Sequence, residues 1–131
     1  MIVFYEDKKV DYGRLVELFN EVKWTDKTQD IKRLENMVNN SQIVVTAWDD
    51  DYMVGFARCT TDYVFNGQIN NVVVDIGYRN RGIGKTLVKK IIETNSGITY
   101  ILRGDLENED FYRSMGFEFA ERTFIYKRRV D

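Results

Sequence analysis

The stretch "INNVVVDIGYRNRGIGKTLVKKII", residues 69–92, decides how the rest of the chain is read. It begins as a strand whose Val72, Val73 and Val74 end is apolar on both faces, the pattern of a strand covered on both sides. It passes through Asp75 and a glycine-punctuated turn into Ile83, Leu87, Val88, Ile91 and Ile92, which recur as the inner stripe of an amphipathic helix. The expectation is a strand over 69–75, a short turn, and a helix from about Gly82 to Glu93. "ITYIL" (98–102) follows as another strand, so residues 69–102 form one βαβ crossover with a parallel pair.

Upstream, "IVFYE" (2–6) reads as a first strand. Leu15, Leu18, Phe19 and Val22 mark one helix, and Ile31, Leu34, Met37 and Val38 mark a second. "QIVVTAWDDDYMVGFARCTT" (42–61) is two β-rich arms around Asp49-Asp50-Asp51, a hairpin, with Gly55 marking a bulge or a close backbone approach. A helix at about 106–115 has acids in its first turns and Gly116 at the position of a C′ glycine. "FEFAERTFIYKRR" (117–129) supplies one or two final strands. The sum is an α+β fold over residues 1–131 as a single domain: a mixed, mostly antiparallel sheet, one central parallel pair, and helices on both faces.

Composition narrows the function. The net charge of −2 argues against a general nucleic-acid binder. No apolar stretch approaches the ~18 residues of a membrane span, and the acids just after the N-terminal "MIVFY" do not fit a signal peptide. The single cysteine, Cys59, excludes an intramolecular disulfide and fits a reducing compartment, so the expected location is cytoplasmic. Histidine is absent. Ser-His and Cys-His nucleophile pairs and His-containing zinc sites are therefore excluded, and no metal is expected.

"RNRGIGKT" (79–86) has the features of an anion site. Gly84-Lys85-Thr86 matches only the end of a triphosphatase loop, because the glycine required five residues earlier is Arg79. A dinucleotide fingerprint fails as well, since its third glycine falls on Leu87. What remains is a covered strand, a short turn and two glycines opening a helix, whose first N–H groups lack intrahelical partners and can bind an anion. Gly82 and Gly84 remove side chains there, while Arg79, Arg81 and Lys85 add positive charge.

Arg79-Asn80-Arg81-Gly82-Ile83-Gly84 resembles the Q/R-x-x-G-x-G/A signature of the GNAT superfamily of N-acetyltransferases. "FYRSMGF" (111–117) resembles its second signature, and the order of elements is similar over nearly the whole chain. The resemblance implies acetyl-coenzyme A as cofactor, with the pyrophosphate at Arg79, Asn80, Arg81, Gly82, Ile83, Gly84, Lys85 and Thr86, and pantetheine along Val72, Val73 and Val74. It also brings Asn108 and Phe111 to the cofactor and makes Tyr112 the general acid for the departing thiolate. Relatives often carry a carboxylate base on the fourth strand, where this chain has Asn70 and Asn71, so deprotonation would run through water or a distant acid such as Asp62. Asp105 stands where relatives often have a cofactor-contacting asparagine, and Asp75 reads as a turn-starting acid.

The acceptor, a primary amine of a small molecule or protein, is expected between the first two helices and the hairpin. Trp24, Arg58 and Tyr63 are expected to line its pocket, with Phe65 and Tyr126 beside them. Arg58 would pair with a carboxylate on the acceptor or neutralise Asp62. Two alternatives stand beside the enzyme: a coenzyme A-binding module without turnover, favoured by Asn70, Asn71 and Asp105, and a small nucleotide triphosphatase, which rests on Gly84-Lys85-Thr86 alone. An exposed last strand adds the expectation of a homodimer.

Overall fold

A computed structural model describes residues 1–129. One sheet of five strands runs in chain order: β1 (Ile2–Tyr5), β2 (Ile43–Asp49), β3 (Tyr52–Thr61), β4 (Asn66–Val74) and β5 (Thr99–Leu102). The first four strands are antiparallel neighbours, and β4 pairs with β5 in parallel. The connection from β4 to β5 carries helix α3 (Ile83–Ile92), the crossover that a parallel pair needs.

Side-chain alternation splits the apolar residues between two faces. On one face Val45, Ala47, Ala57, Cys59 and Ile69 pack against Ile83, Leu87, Val88 and Ile91 of α3. On the other, Val44, Trp48, Met53, Phe56 and Val73 pack against α1 (Tyr12–Glu21) and α2 (Ile31–Asn39) through Leu15, Leu18, Phe19, Leu34 and Val38. Both of these helices begin at an aspartate cap: Asp11 accepts from the Arg14 N–H and Asp30 from the Arg33 N–H.

Two bulges shape the central strands. Ala47 faces Gly55 while Trp48 faces Met53, which leaves Val54 as the extra residue on β3. Gly55 serves close packing as well: a Cβ there would lie 3.1 Å from Leu87 Cδ1 and 3.3 Å from Ala47 Cβ. On β4, Phe56 faces Val73 but Arg58 faces Asn70, so Asn71 and Val72 together oppose Ala57. Asn71 takes up the kink at φ +54°, a left-handed conformation that asparagine tolerates better than most residues.

The β4–β5 pairing ends at Ile69 and Leu102, so residues 70–74 of β4 have a strand neighbour on the β3 side only. The bulge and the end of the parallel pairing thus coincide.

The C-terminal part departs from the sequence expectation. The helix expected at 106–115 is a 3₁₀ turn (Leu106–Asn108) followed by α4 (Glu109–Arg113), closed by Gly116 at φ +96°. Phe117 N–H donates to the Tyr112 carbonyl and Gly116 N–H to that of Arg113, so the glycine closure is as expected. Residues 117–129 form no strand, against the expected one or two. Arg122 sits at φ +69° and breaks any extended run, while Glu118, Glu121, Lys127 and Arg128 leave no continuous apolar face to cover. The parallel pair therefore lies at one end of the sheet rather than at its centre.

Candidate active site

The turn between β4 and α3 is held from three sides. Asp75, almost fully buried, donates its N–H to the Val54 carbonyl, and its carboxylate accepts from Gly77 N–H at 2.7 Å. That is the turn-starting role expected of it. Its second oxygen accepts from Arg14 Nη2 at 2.7 Å. Arg14 also donates Nε to the Met53 carbonyl and Nη1 to Glu17, and its guanidinium lies 3.9 Å from the centre of the Tyr52 ring. Burial works to lower the Arg14 pKa, and the hydrogen bonds to Glu17 and Asp75 outweigh it, so the cation is held. From the other side, the Tyr78 hydroxyl donates to Asp49 at 2.7 Å, and Arg81 lies over the Tyr78 ring.

With its base fixed, the turn opens outward. Asn80 and Gly82 are both left-handed, at φ +64° and +77°, and Gly82 caps α3 without a side-chain bond. Thr86 N–H is the first to return, to the Gly82 carbonyl, and the Thr86 hydroxyl donates to the same oxygen. Among the described residues, the backbone N–H groups from Arg79 to Lys85 donate to no protein acceptor. Successive free N–H groups around left-handed residues form an anion-binding concavity, and the positive end of the α3 dipole adds to it. Apart from its chain neighbours and its own helix backbone, no atom of the described residues lies within 4 Å of where a Gly82 Cβ would stand, so that approach is open. Arg79, Asn80 and Arg81 are exposed around it, and Arg79 Nε donates to the Val74 carbonyl at 3.3 Å. Lys85 is half-buried in the first helical turn. The donor set suits a pyrophosphate.

Gly84 and Phe111 bring α4 to this turn: a Cβ on Gly84 would lie 3.5 Å from Phe111 Cζ and 3.5 Å from Val74 Cγ2. Asn108 caps α4 and is exposed. Val72 and Val74 pack toward the α3 face, and Val73 toward α1 and α2.

Tyr112 stands next to Phe111, with ring centres 5.1 Å apart, and rests over Gly104, where a Cβ would come within 2.8 Å of Tyr112 Cε2. Among the described residues its hydroxyl makes no hydrogen bond, and the residue is partly exposed. Burial, reinforced by the Asp105 carboxylate, raises its pKa above the ordinary phenol value. Tyr112 is therefore a protonated donor at neutral pH.

The base candidates resolve differently. Asp62 Oδ1 accepts from the N–H groups of Val64, Phe65 and Asn66, which lower its pKa and occupy it in the β3–β4 loop. It caps a loop and is a poor base. Asn70 exchanges hydrogen bonds with Gln68.

The three acceptor candidates divide. Arg58 donates Nε to Asn71 Oδ1 at 2.8 Å and Nη1 to Ser41 Oγ at 3.4 Å, and it does not pair with Asp62. The Tyr63 hydroxyl donates to the Gln42 carbonyl, so Tyr63 and Arg58 meet at the same end of the sheet through Gln42 and Ser41. Trp24 packs edge-on against Phe19 and belongs to the apolar cluster of α1 and α2. Phe65 and Tyr126 project into solvent. A groove of about 1150 Å³ runs along β5 between Leu102, Tyr112, Met115, Phe117 and Ile125, on the Tyr112 side rather than beside Arg58. No cluster of metal-ligating side chains occurs among the described residues.

Arg14 and Ser41 also belong to this arrangement, and the sequence reading does not single them out. Arg14 precedes Leu18 by four residues, and that spacing puts it on the buried stripe of α1. Ser41 carried no such signal.

A βαβ unit with splayed strands thus places a turn of free N–H groups at its crossover helix, with a protonated phenol on the next helix. The chain belongs to the Acetyltransferase (GNAT) family, whose sequence pattern matches residues 5–117. It is 32% identical to the Histone acetyltransferase TAP1 of Glycine max, in an alignment covering 89% of this chain and 56% of that protein, so it spans about half the length of this relative. Among solved structures, a GNAT family acetyltransferase from Streptococcus pneumoniae superposes with a TM-score of 0.80 at 25% identity, over 99% of this chain and 100% of that one. AAC(6′)-Iy, in complex with the bisubstrate analogue CoA-S-monomethyl-acetylneamine, shares the fold at a TM-score of 0.74 and 19% identity, over 99% of each chain. No helix among the described residues is long and apolar enough to cross a membrane.

Proposed function

We propose that this protein transfers an acetyl group from acetyl-coenzyme A to a primary amine by direct attack. The observation that carries the proposal is the run of unpartnered N–H groups from Arg79 to Lys85, with open space over Gly82, one element away from the free Tyr112 hydroxyl. Acetyl-coenzyme A supplies the acyl group already activated as a thioester.

The chain's own residues do the rest. The turn at residues 79–86 binds the pyrophosphate, with Arg79, Arg81 and Lys85 balancing its charge. The β5-facing side of Val72, Val73 and Val74 has no strand neighbour and accepts an extended, amide-bearing arm as a peptide would be accepted. Asn108 and Phe111 border the same space. Tyr112 Oη holds the proton required when a C–S bond breaks and a C–N bond forms. The amine's own proton leaves to water, since β4 presents asparagines instead of carboxylates. Arg58 and Tyr63 stand on the acceptor side, and Trp24 supports that side through Phe19.

The single buried cysteine supports a reducing compartment, and we assign the cytoplasm. The net charge of −2 supports a partner other than nucleic acid, and the unpaired outer edge of β5 supports association of two copies. The deciding experiment incubates the protein with acetyl-coenzyme A and a panel of primary amines and follows free thiol. Amine-dependent thiol release is the expected result. Tight binding of coenzyme A without release from any amine would favour a binding module instead, which is the alternative suggested by Asn70, Asn71 and Asp105.

A further inference from the structure

We propose that Arg58 selects acceptors that carry a carboxylate alongside the amine, holding that carboxylate on the outer edge of its guanidinium. The proposal rests on the acyl-transfer reading above and adds the class of acceptor.

Arg58 lies on β3 opposite Asn70, beside the β4 bulge where the parallel pairing has just ended. Alternation from Phe56 puts it on the α1–α2 face, away from the crossover helix. It is only partly exposed, and it differs from Arg14 in the interior and from Arg113 on α4. Arg14 is paired with Asp75 and Glu17, and Arg113 with Glu109. Among the described residues no carboxylate pairs with Arg58: Asp62, the nearby acid in sequence, is committed to three loop N–H groups. Burial lowers the Arg58 pKa, opposed only by the weaker influence of neighbouring Cys59.

A half-buried cation without an anion is costly, and its local contacts do not require the charge. Holding Asn71 Oδ1 takes one N–H, which a neutral amide would also supply. The bond to Ser41 is long at 3.4 Å, and among the described residues Nη2 makes no hydrogen bond. The Nη1–Nη2 edge is the part of a guanidinium that matches both oxygens of a carboxylate. It is held by the Asn71 contact next to the bulge, just past the last β4–β5 pair at Ile69.

The test uses matched acceptors: glycine, β-alanine, γ-aminobutyrate and L-lysine, each against its carboxamide. Two measurements are made with wild type, Arg58→Gln and Arg58→Lys: thiol release from acetyl-coenzyme A, and calorimetric binding of each acceptor to the coenzyme A-saturated protein. At least one acid should exceed its amide by about ten-fold or more in kcat/KM, the scale of one charge-assisted bidentate contact. That ratio should fall toward one in Arg58→Gln and be partly kept in Arg58→Lys. Equal use of acids and amides by wild type would overturn the proposal and leave acyl transfer standing. A drop in Arg58→Gln that is the same for both members of each pair would also overturn it, because that is what a role confined to holding the bulge produces. Absence of turnover with every amine would sink the acyl-transfer reading separately. Calorimetry would then decide this one: acids bound more tightly than amides, with the difference lost in Arg58→Gln, support it, and no difference refutes it.

Discussion

Tyr112 shows how one side chain is prepared by its surroundings. Its ring rests on Gly104 and against Phe117, and its hydroxyl has no partner among the described residues. Burial first, and then Asp105, shift its pKa upward, so the neutral phenol persists beyond the ordinary value of about 10. An acid kept protonated this way gives no falling limb in kcat below that pH. The rising limb should follow deprotonation of the acceptor amine, and a decline centred near pH 8 would place the acid elsewhere. Tyr112→Phe should lower kcat by ~10²-fold or more while changing affinity for coenzyme A much less. The same shift bears on stability. The folded pKa lies above the unfolded one, so the contribution is fully present below the unfolded pKa and is lost as pH rises through the folded value. Wild type should therefore lose stability at the alkaline extreme more steeply than Tyr112→Phe, as urea midpoints above pH 10 would show. The residue itself was legible in "FYRSMGF". The influence of Asp105 was not, because a spacing of seven residues across a 3₁₀ turn does not say which way a carboxylate faces.

The β4–α3 turn was read almost correctly as an element, and its support was not. Its glycines and cations are contiguous in sequence, and contiguity is what a linear reading detects. Arg14, sixty-one residues before Asp75, is joined to it only by the fold. The pair ties α1 to the base of the turn with both side chains nearly out of solvent. Removing one partner of such a pair strands the other charge. Asp75→Asn should cost toward the lower end of about 3–5 kcal/mol, since Glu17 still shares the Arg14 charge. Arg14→Met combined with Asp75→Asn should cost less than the two single changes added together, because the stranded charge is then absent. Urea unfolding of the four proteins gives the coupling directly. Additive costs would mean that the contact contributes little, and that Asp75 acts through its bond to Gly77 alone.

At the scale of the molecule, the two apolar faces and the order of strands followed from periodicity, because each strand has a neighbour on the sheet and a helix to cover it. The segment 117–129 has neither, and there periodicity misled: "FEFAERTFIYKRR" alternates like a strand, yet Phe119, Phe124 and Tyr126 are largely exposed. Beyond Leu102 the sheet therefore depends less on strand pairing, and the splay between β4 and β5 is bridged by packing around Phe111, Tyr112 and Phe117. A ligand that fills the splay and satisfies the N–H groups of the turn should brace the parts of the fold that pairing leaves loose. Because it binds only the folded protein, acetyl-coenzyme A at a hundred times its dissociation constant should add about 2.7 kcal/mol. For a chain of this size that corresponds to a rise in Tm of several degrees, within the ~2–8 °C range expected for small and medium domains. ATP with magnesium presents phosphates to the same turn but nothing that could extend along Val72–Val74, so its shift should be much smaller. Scanning calorimetry with each ligand at matched concentrations separates the two contributions. Equal shifts would mean that the turn binds any polyphosphate and that the open side of β4 adds nothing, which would remove the structural basis for acetyl-coenzyme A as the partner.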